Sequence, residues 1–368
     1  MNKTFFALLI APLFMIGCEN NKFSLEGTLQ DTAMFNGRTV YLSDLVNDEF
    51  APFDSAVISN GTFSISTVCD SARVAFLAIE TSPYDAPVVI PFVFEKGKMQ
   101  LQITNDAFIL GGTPQNDVLQ QFAELETDLW QKLGNYKLQL QTDSTMADSA
   151  RTMLYSNMED LVNQEYAEKS FELVKQNANK PIGTYIFLNT YYYFKPDMID
   201  AVLSLTDDKT KQSPKIQKIM SNNELSKSLQ SGVNYIDFES VTPQGDTLAL
   251  SALVGKTDYV LLDFWASWCP DCVAALPALK QIYEKNAGRL EILSVSLDSD
   301  REKWLKNGIE KFDLRWKHVS NLARWDDSIA QSYAVNSIPA MYLIDREGKI
   351  VASKASLSEI RAILAGIK

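Results

Sequence analysis

The stretch Tyr259–Pro277 reads YVLLDFWASWCPDCVAALP, and it decides the fold of the C-terminal part of the chain. It begins with an almost continuous run of apolar residues rich in β-formers, which favours a strand buried on both faces of a sheet. After two cysteines, apolar residues recur at the spacing of a helix. The sequence therefore predicts that Cys269 and Cys272 lie where a central strand turns into a helix.

This position predicts a reactive thiol at Cys269. The first turn of a helix leaves backbone N–H groups without partners, and the helix dipole adds partial positive charge there. We therefore predict that the pKa of Cys269 lies below the value of about 8.5 for a free cysteine, although the negative charge of Asp271 opposes the shift. Pro270 suits the first helical turn because it needs no N–H there. Cys272 lies one turn further on, close enough to attack a mixed disulfide formed at Cys269.

The run LLDFWASWCPDC resembles the active-site strand and loop of the thioredoxin superfamily. The resemblance implies a C-terminal domain with the thioredoxin-like α/β fold. It also implies that Cys269 is the nucleophile, that Cys272 is the resolving thiol, and that Asp263 is a buried carboxylate that exchanges protons with Cys272.

The same resemblance implies a surface that receives the substrate beside the cysteines. Trp268 corresponds to the tryptophan that flanks the pair, and Pro270 lies between the two cysteines. The Ile338-Pro339 pair resembles the loop that faces the disulfide through a cis-proline, although only about 5–6% of X–Pro bonds in folded proteins are cis. We therefore expect Pro339 in the catalytic centre and substrate contacts from the other three residues.

The extra-cytoplasmic thioredoxins of the TlpA and ResA type are most similar to this domain, because they share the lead-in that ends in LLDFWASWC. Many of them carry a glutamate three residues beyond the second cysteine, where this chain has Ala275. Proton handling is then expected to fall on Asp263. The dipeptide Pro270-Asp271 differs from the Gly-Pro of thioredoxin, which leaves the reduction potential open.

Composition places the chain among ordinary globular proteins. Its 368 residues suffice for two or three domains, and its formal net charge is −12. That charge argues against nucleic acid or an anionic lipid surface as partners of the folded part.

The cysteines Cys18, Cys69, Cys269 and Cys272 amount to one close pair and two single residues, which is not a disulfide scaffold. A zinc site is also disfavoured, since there is no second CxxC motif and His318 is the only histidine. We therefore predict no metal and no cofactor. Cys69 is expected to be buried and unreactive, and His318 is expected to have a structural or surface role rather than a catalytic one.

The first residues have the pattern of an export signal. Lys3 precedes an apolar run over residues 5–16, which is too short to span a bilayer but suits the core of a signal peptide. Residues 15–18 read MIGC and resemble a bacterial lipobox, which implies that residues 1–17 are removed and that Cys18 is lipidated. Several acyl chains there would anchor the protein to a membrane, since one chain alone binds weakly. Plain secretion is the alternative.

Residues 18–113 show short alternating segments separated by turn signals. The pattern predicts an all-β, sandwich-like domain of antiparallel strands. The segment resembles the N-terminal β-domain of unknown function that precedes thioredoxin modules in many lipoproteins of Bacteroidetes-type bacteria. The shared features are the strand VYL, the turn NGTFS and the closing LGGT. The resemblance implies no active site, so we expect a spacer or a binding platform.

Residues 114–231 have the apolar spacing of helices and are predicted to form an α-helical connector. The second long helix is predicted from apolar residues that recur along it, namely Met153, Leu154, Leu161, Tyr166 and Phe171. The tail of this segment, residues 209–231, is polar and has the character of a linker.

Residues 232–368 form the predicted thioredoxin-like domain. Strands alternate with helices along it, which indicates a parallel core with right-handed crossovers. Met341–Ile344 and Ile350–Ala352 flank a turn at Asp345–Gly348 and are predicted to form a closing antiparallel hairpin.

These observations predict a thiol-disulfide oxidoreductase of the bacterial cell envelope, lipid-anchored and facing the periplasm. Its partners would be protein thiols and disulfides, together with a membrane redox donor if it acts as a reductase, as we expect. The alternative is a lipid-anchored binding protein in which the cysteine pair is a structural disulfide. Peroxide reduction is disfavoured because no Pro-x-x-x-Thr-x-x-Cys pattern precedes the pair.

Overall fold

The computed structural model describes residues 21–81, 86–104 and 107–366, with the backbone alone described at residues 148 and 149. The predicted signal peptide and Cys18 lie outside the described residues.

The chain divides into two compact units. The first comprises Met1–Ala123 and Lys180–Tyr185, and the second comprises Glu124–Asn179 and Ile186–Lys368. Most of the predicted connector therefore groups with the C-terminal domain, and the domain boundaries drawn from the sequence stay predictions.

The described part of the first unit forms two four-stranded sheets. The strands are β1 (Lys22–Leu29), β2 (Thr39–Val46), β3 (Glu49–Val57), β4 (Thr62–Val68), β5 (Arg73–Ile79), β6 (Val88–Phe94), β7 (Gly97–Ile103) and β8 (Phe108–Gly111), with a short helix α1 (Thr32–Phe35) after β1. One sheet has the order β4-β1-β7-β8 and the other the order β3-β2-β5-β6. Phe23 of the first sheet packs on Phe94 of the second, with ring centroids 4.8 Å apart. The predicted sandwich-like β-region is confirmed.

One pair of strands departs from the predicted antiparallel pattern. Strands β1 and β7 run parallel, with Phe23 opposite Gly97. The chain passes through the other sheet between these two strands, so no hairpin forces them to run in opposite directions. Cys69 is fully buried, as predicted, and burial raises the pKa of its thiol.

The middle of the chain is helical, as predicted. Its helices are α2 (Pro114–Thr142), α3 (Asp148–Gln176), α4 (Pro181–Thr190), α5 (Pro196–Leu205), α6 (Asp208–Lys211) and α7 (Pro214–Lys227). Four of them begin at a proline, which needs no N–H partner in the first turn. The linker predicted for residues 209–231 is wrong, because α7 forms there and buries Ile216 and Ile219. Among the residues that the structure describes, none of the helices has the length and apolar character needed to cross a membrane.

The C-terminal domain is a five-stranded sheet with helices, and the thioredoxin-like fold is confirmed. Its elements are β9 (Glu239–Val241), β10 (Thr247–Ala249), β11 (Tyr259–Trp265), α8 (Pro270–Lys285), β12 (Leu290–Ser296), β13 (Lys317–Val319), α9 (Ser328–Ser332), β14 (Ala340–Asp345), β15 (Ile350–Ser353) and α10 (Leu357–Leu364). The sheet order is β13-β12-β11-β14-β15, and β9 pairs with β10 separately. Strand β11 is central, parallel to β12 and antiparallel to β14. The closing hairpin of β14 and β15 is confirmed, whereas the three-residue strand β13 was not predicted.

Within the second unit, α3 packs against both α8 and α10. Arg361 of α10 donates a hydrogen bond to Oδ1 of Asn157 at 2.6 Å. The backbone N–H of Ser358 donates to Oδ2 of Asp160 at 3.3 Å. These bonds hold the middle of α3 on the C-terminal domain.

The buried face of α3 excludes Leu161, one of the apolar residues that predicted the helix. Leu161 is 61% exposed, whereas its neighbour Val162 is fully buried. The face that packs inward passes through Tyr155, Glu159, Val162 and Tyr166, which follow one another at three- and four-residue spacing. A carboxylate thus occupies a half-buried position on this face.

Candidate active site

Cys269 and Cys272 form a disulfide at the junction of β11 and α8, with their Cα atoms 5.3 Å apart. Cys269 is the N-cap of α8, and its Sγ accepts a hydrogen bond from the backbone N–H of Cys272 at 3.1 Å. Pro270 takes the first helical position, where the missing N–H costs nothing. The predicted strand-to-helix junction is confirmed, and it directs the positive end of the helix dipole at Sγ of Cys269.

The predicted proline loop lies against this disulfide. The Ile338-Pro339 peptide bond is cis, as the resemblance implied. The carbonyl oxygen of Ile338 lies 3.6 Å from Sγ of Cys269, although the two residues are 69 positions apart. The loop leads directly into β14, where Ala340 pairs with Phe264 of β11. Antiparallel pairing of the two strands therefore brings the loop to the start of α8.

Asp263 is buried in the central strand, with 3% of its surface exposed. Its Oδ2 accepts a hydrogen bond from Oγ of Ser294 at 2.7 Å. That hydroxyl in turn accepts one from Nε1 of Trp316 at 2.8 Å. Burial raises the pKa of Asp263 to about 6, and the hydrogen bond from Ser294 opposes part of the shift. A carboxyl group with such a pKa can hold or release a proton near neutrality.

The polar residues of adjacent strands form a row across the sheet. Asp263 lies opposite Ser294 of β12, which lies opposite His318 of β13. The ring of His318 stacks on Trp316 with centroids 5.8 Å apart, and the residue is 4% exposed. Burial lowers the pKa of His318 to about 3. The histidine is therefore a neutral core residue, which excludes the surface role. We call Asp263, Ser294, Trp316 and His318 the strand flank of the disulfide.

A further buried carboxylate, which the sequence did not single out, anchors the loop before Cys269. Both oxygens of Asp298 accept hydrogen bonds from Ser267, one from its N–H at 3.0 Å and one from its Oγ at 2.7 Å. Ser296 donates another from its Oγ at 2.7 Å. An aspartate two residues after a buried strand beside the central one is the signal that could have indicated this role.

Exposed aromatic and proline side chains lie next to the cysteines. Trp268 is 43% exposed, and its ring meets that of Trp325 edge-on at 6.2 Å. The guanidinium of Arg324 lies 5.7 Å from the centroid of Trp268. Pro270 is exposed and Ile338 is half-buried. Trp325 and Arg324 belong to no motif, so no sequence signal indicated that they would lie beside Trp268.

Residues of the helical region face Asp271. Tyr155 and Glu159 of α3 and Tyr193 all interact with the charge of Asp271, which is exposed in the first turn of α8. Burial, reinforced by the negative charge of Asp271, raises the pKa of Glu159 to about 7. Burial raises the pKa of Tyr193 to about 12. We call Tyr155, Glu159, Tyr193 and Asp271 the helix flank, which no sequence pattern had indicated.

Within residues 21–81, 86–104 and 107–366, no group of three or more histidine, cysteine or acidic side chains is arranged to hold a metal ion.

Two segments of the chain match known families. Residues 256–350 match the thioredoxin-like family, and residues 23–119 match a domain of unknown function, DUF4369. The second match confirms the predicted N-terminal β-domain without assigning it a role.

Named relatives match the C-terminal part. The chain is 29% identical over 124 residues to the thiol-disulfide oxidoreductase ResA of Bacillus cereus, an alignment that covers 33% of this chain and 68% of the relative. It is 30% identical over 124 residues to the thioredoxin-like protein YneN of Bacillus subtilis (strain 168), covering 33% of this chain and 69% of the relative. Among solved structures, a thiol-disulfide oxidoreductase from Bacteroides fragilis NCTC 9343 is 29% identical and covers 37% of this chain and 100% of its own, with a TM-score of 0.35.

The sequence matches cover the parts of the chain that build the site. The thioredoxin-like match at residues 256–350 includes β11, the cysteine pair and the cis-proline loop. The chain therefore belongs to the thioredoxin-like family and is a thiol-disulfide oxidoreductase similar to ResA.

Proposed function

We propose that the Cys269–Cys272 pair exchanges disulfides with protein substrates, and that the protein acts as a reductase in the bacterial cell envelope, anchored by lipid at Cys18. The observation that carries the proposal is the position of Cys269. It caps α8 and lies 3.6 Å from the carbonyl oxygen of Ile338, next to the cis-proline. A purely structural disulfide requires neither a helix N-terminus nor an adjoining backbone edge.

The reaction begins from the reduced pair. The thiolate of Cys269 attacks one sulfur of a substrate disulfide, whose S–S bond breaks, so that one substrate sulfur leaves as a thiolate and a mixed disulfide forms. The thiolate of Cys272 then attacks Sγ of Cys269 and releases the second substrate sulfur. The substrate gains two electrons and the pair is left as the disulfide seen here. A membrane donor must supply two electrons to reset it.

Asp263 is proposed to accept the proton of Cys272 in the resolving step. A base works best when its pKa lies near the working pH. The pKa of about 6 that burial imposes on Asp263 supports this role. The hydroxyl of Ser294, at 2.7 Å, fixes one carboxylate oxygen and leaves the other for the proton.

The substrate is proposed to lie along the edge formed by Ile338 and Pro339. An extended peptide can pair with an exposed backbone edge, which gives affinity with little dependence on sequence. The exposed rings of Trp268 and Pro270 adjoin the cysteines and offer apolar contact to such a peptide.

Trapping tests this function directly. We expect Cys272→Ser to accumulate a covalent complex with protein partners, because the mixed disulfide at Cys269 cannot be resolved. Cys269→Ser should form none and should not reduce insulin. Cys69→Ala is the matched control, since this buried cysteine lies in the first unit and should leave insulin reduction unchanged.

Several outcomes would contradict the proposal. Insulin reduction at the parental rate by both active-site variants would exclude the mechanism. A pair that resists mild dithiothreitol, instead of equilibrating with glutathione, would favour the structural disulfide of a binding protein. A Cys18→Ala variant that stays in the membrane fraction of cells would exclude the lipid anchor.

A further inference from the structure

A helix from outside the thioredoxin-like domain lies beside the cysteine motif. In the second unit α3 packs on α8, which begins between the two cysteines at Pro270. Two bonds from α10 hold α3 in place: Arg361 to Asn157 at 2.6 Å and Ser358 to Asp160 at 3.3 Å. These contacts lie two residues before and one residue after Glu159, so the position of Glu159 is well defined by its neighbours.

The face of α3 at this point carries two ionisable groups. Tyr155 and Glu159 are one turn apart, which places them on the same side of the helix, and both are half-buried. Both interact with the charge of Asp271, and so does Tyr193. Three groups of the helical region therefore interact with Asp271, one of the two residues between the cysteines.

The charges around Glu159 are mostly negative. Asp271 on α8 and Asp160 on α3 both disfavour a second anion, and Lys137 on α2 partly opposes them. The Nζ of Lys137 lies 5.3 Å from the ring centroid of Tyr155, one turn from Glu159. Burial and these acids together raise the pKa of Glu159 to about 7.

We propose that Glu159 is a positioning residue of the redox site, whose proton sets how much negative charge lies beside Cys269 and hence how readily that cysteine forms a thiolate. The inference rests on the proposed function of the pair. When Glu159 is ionised, its charge adds to the negative charge near Cys269, and the Cys269 thiolate is disfavoured. When Glu159 is protonated, this effect is absent.

The expected effect has a definite sign. Glu159→Gln removes the charge that develops near neutrality, so Cys269 should form its thiolate more readily above that pH. A single charge acting through partly solvated protein changes the reactivity by about threefold. In the parent the pH profile of Cys269 reactivity should carry an extra inflection near pH 7, and the variant should lack it.

The experiment measures alkylation of Cys269 by iodoacetamide in the reduced, full-length protein from pH 5 to 9, with the Cys269 peptide quantified by mass spectrometry. Glu168→Gln is the matched control. It makes the same change on the same helix about 13 Å further along the axis, at an exposed side chain that accepts a hydrogen bond from Gln164. We expect this control to match the parent and Glu159→Gln to differ from both.

The outcomes separate the two proposals. A low pKa for Cys269 with identical profiles in the parent, Glu159→Gln and Glu168→Gln overturns the role of Glu159 and leaves the exchange function intact. An ordinary, slow thiol at Cys269 in the parent contradicts the exchange function itself. If Glu159→Gln fails to fold by circular dichroism, Asp271→Asn provides the test: it must move the inflection to lower pH, and an unmoved inflection overturns the inference.

Discussion

The strand flank of the disulfide keeps its ionisable groups away from water, whereas the helix flank leaves them partly exposed. Asp263 and His318 are 3% and 4% exposed, and burial is the main cause of their pKa shifts, upward for the acid and downward for the base. Glu159 is half-buried, whereas Asp271 is exposed. The negative charge of Asp271 adds to the effect of burial in raising the pKa of Glu159. The buried groups of the strand flank therefore make the stability of the fold depend on pH, whereas the charge state of the helix flank depends on neighbouring charges.

The largest effect is expected from His318→Gln, on stability at acid pH. The pKa of about 3 in the folded protein lies below the ordinary value, so the unfolded chain binds the extra proton. The contribution of neutral His318 to the free energy of unfolding is fully present above pH 6.5. It is lost as the pH falls toward 3, and the total loss is about 5 kcal/mol. The variant should lack this loss.

The urea midpoint, followed by tryptophan fluorescence at several pH values, measures the effect. All six tryptophans of the chain lie within the second unit, so the signal reports the unit that contains the site. Parallel loss of stability by parent and variant between pH 6.5 and 3 would show that His318 is not held neutral by burial.

Asp263→Asn should change the pH dependence of stability in the opposite direction to His318→Gln, and by a smaller amount. The pKa of Asp263 is raised to about 6 from about 3.8, so its protonated form stabilises the fold below pH 4 and that stability is lost as the pH rises toward 6. The loss amounts to about 3 kcal/mol. In the parent, this loss of stability with rising pH nearly cancels the stability gained through His318 between pH 4 and 6. In Asp263→Asn the free energy of unfolding should therefore rise steeply over that range.

The same fluorescence assay applies, with Asp246→Asn as control because it removes an exposed carboxylate from the same domain. If the urea midpoints of the variant matched those of the parent from pH 4 to 6, Asp263 would titrate like a surface group. The strand flank would then not differ from the helix flank in how burial affects its acid.

The smallest effect concerns the rotation of α3, on which the helix flank depends. Val162→Ala should cost about 2 kcal/mol, since Val162 is fully buried, and Leu161→Ala should cost less than about 0.5 kcal/mol, since Leu161 is 61% exposed. The urea midpoint of each variant at pH 7 checks the order. If Leu161→Ala cost more than Val162→Ala, the buried face of α3 would be rotated by one residue, and Glu159 would lie away from Asp271.

Sequence patterns predicted the elements whose signals are consecutive along the chain. The run at residues 259–265 is buried on both faces, as its lack of alternation indicated. The hairpin of β14 and β15 follows from apolar runs on either side of a turn. Strand β13 was missed because three residues are too few to show a period. Helix α7 was missed because its polar composition hides the two isoleucines that it buries.

The residues of the site likewise fall into those that local sequence patterns predicted and those that they did not. The position of Cys269 at the start of a helix and the cis-proline loop were both predicted, the first from local physics and the second from a motif. Glu159 was missed because the sequence pattern of α3 does not show that this position is half-buried against its neighbours. Trp325 was missed because it carries no local pattern, and Asp298 was missed because its role depends on a contact with the loop before α8.

The amino-acid sequence by itself determined the chemistry available at Cys269, because strand burial, the helix start and the N-cap are all specified by neighbouring residues. Only the tertiary structure decided which charges face that chemistry. Electrostatic neighbours across a helix interface depend on how distant segments pack, and a half-buried glutamate such as Glu159 looks like any surface acid until the face of its helix is known.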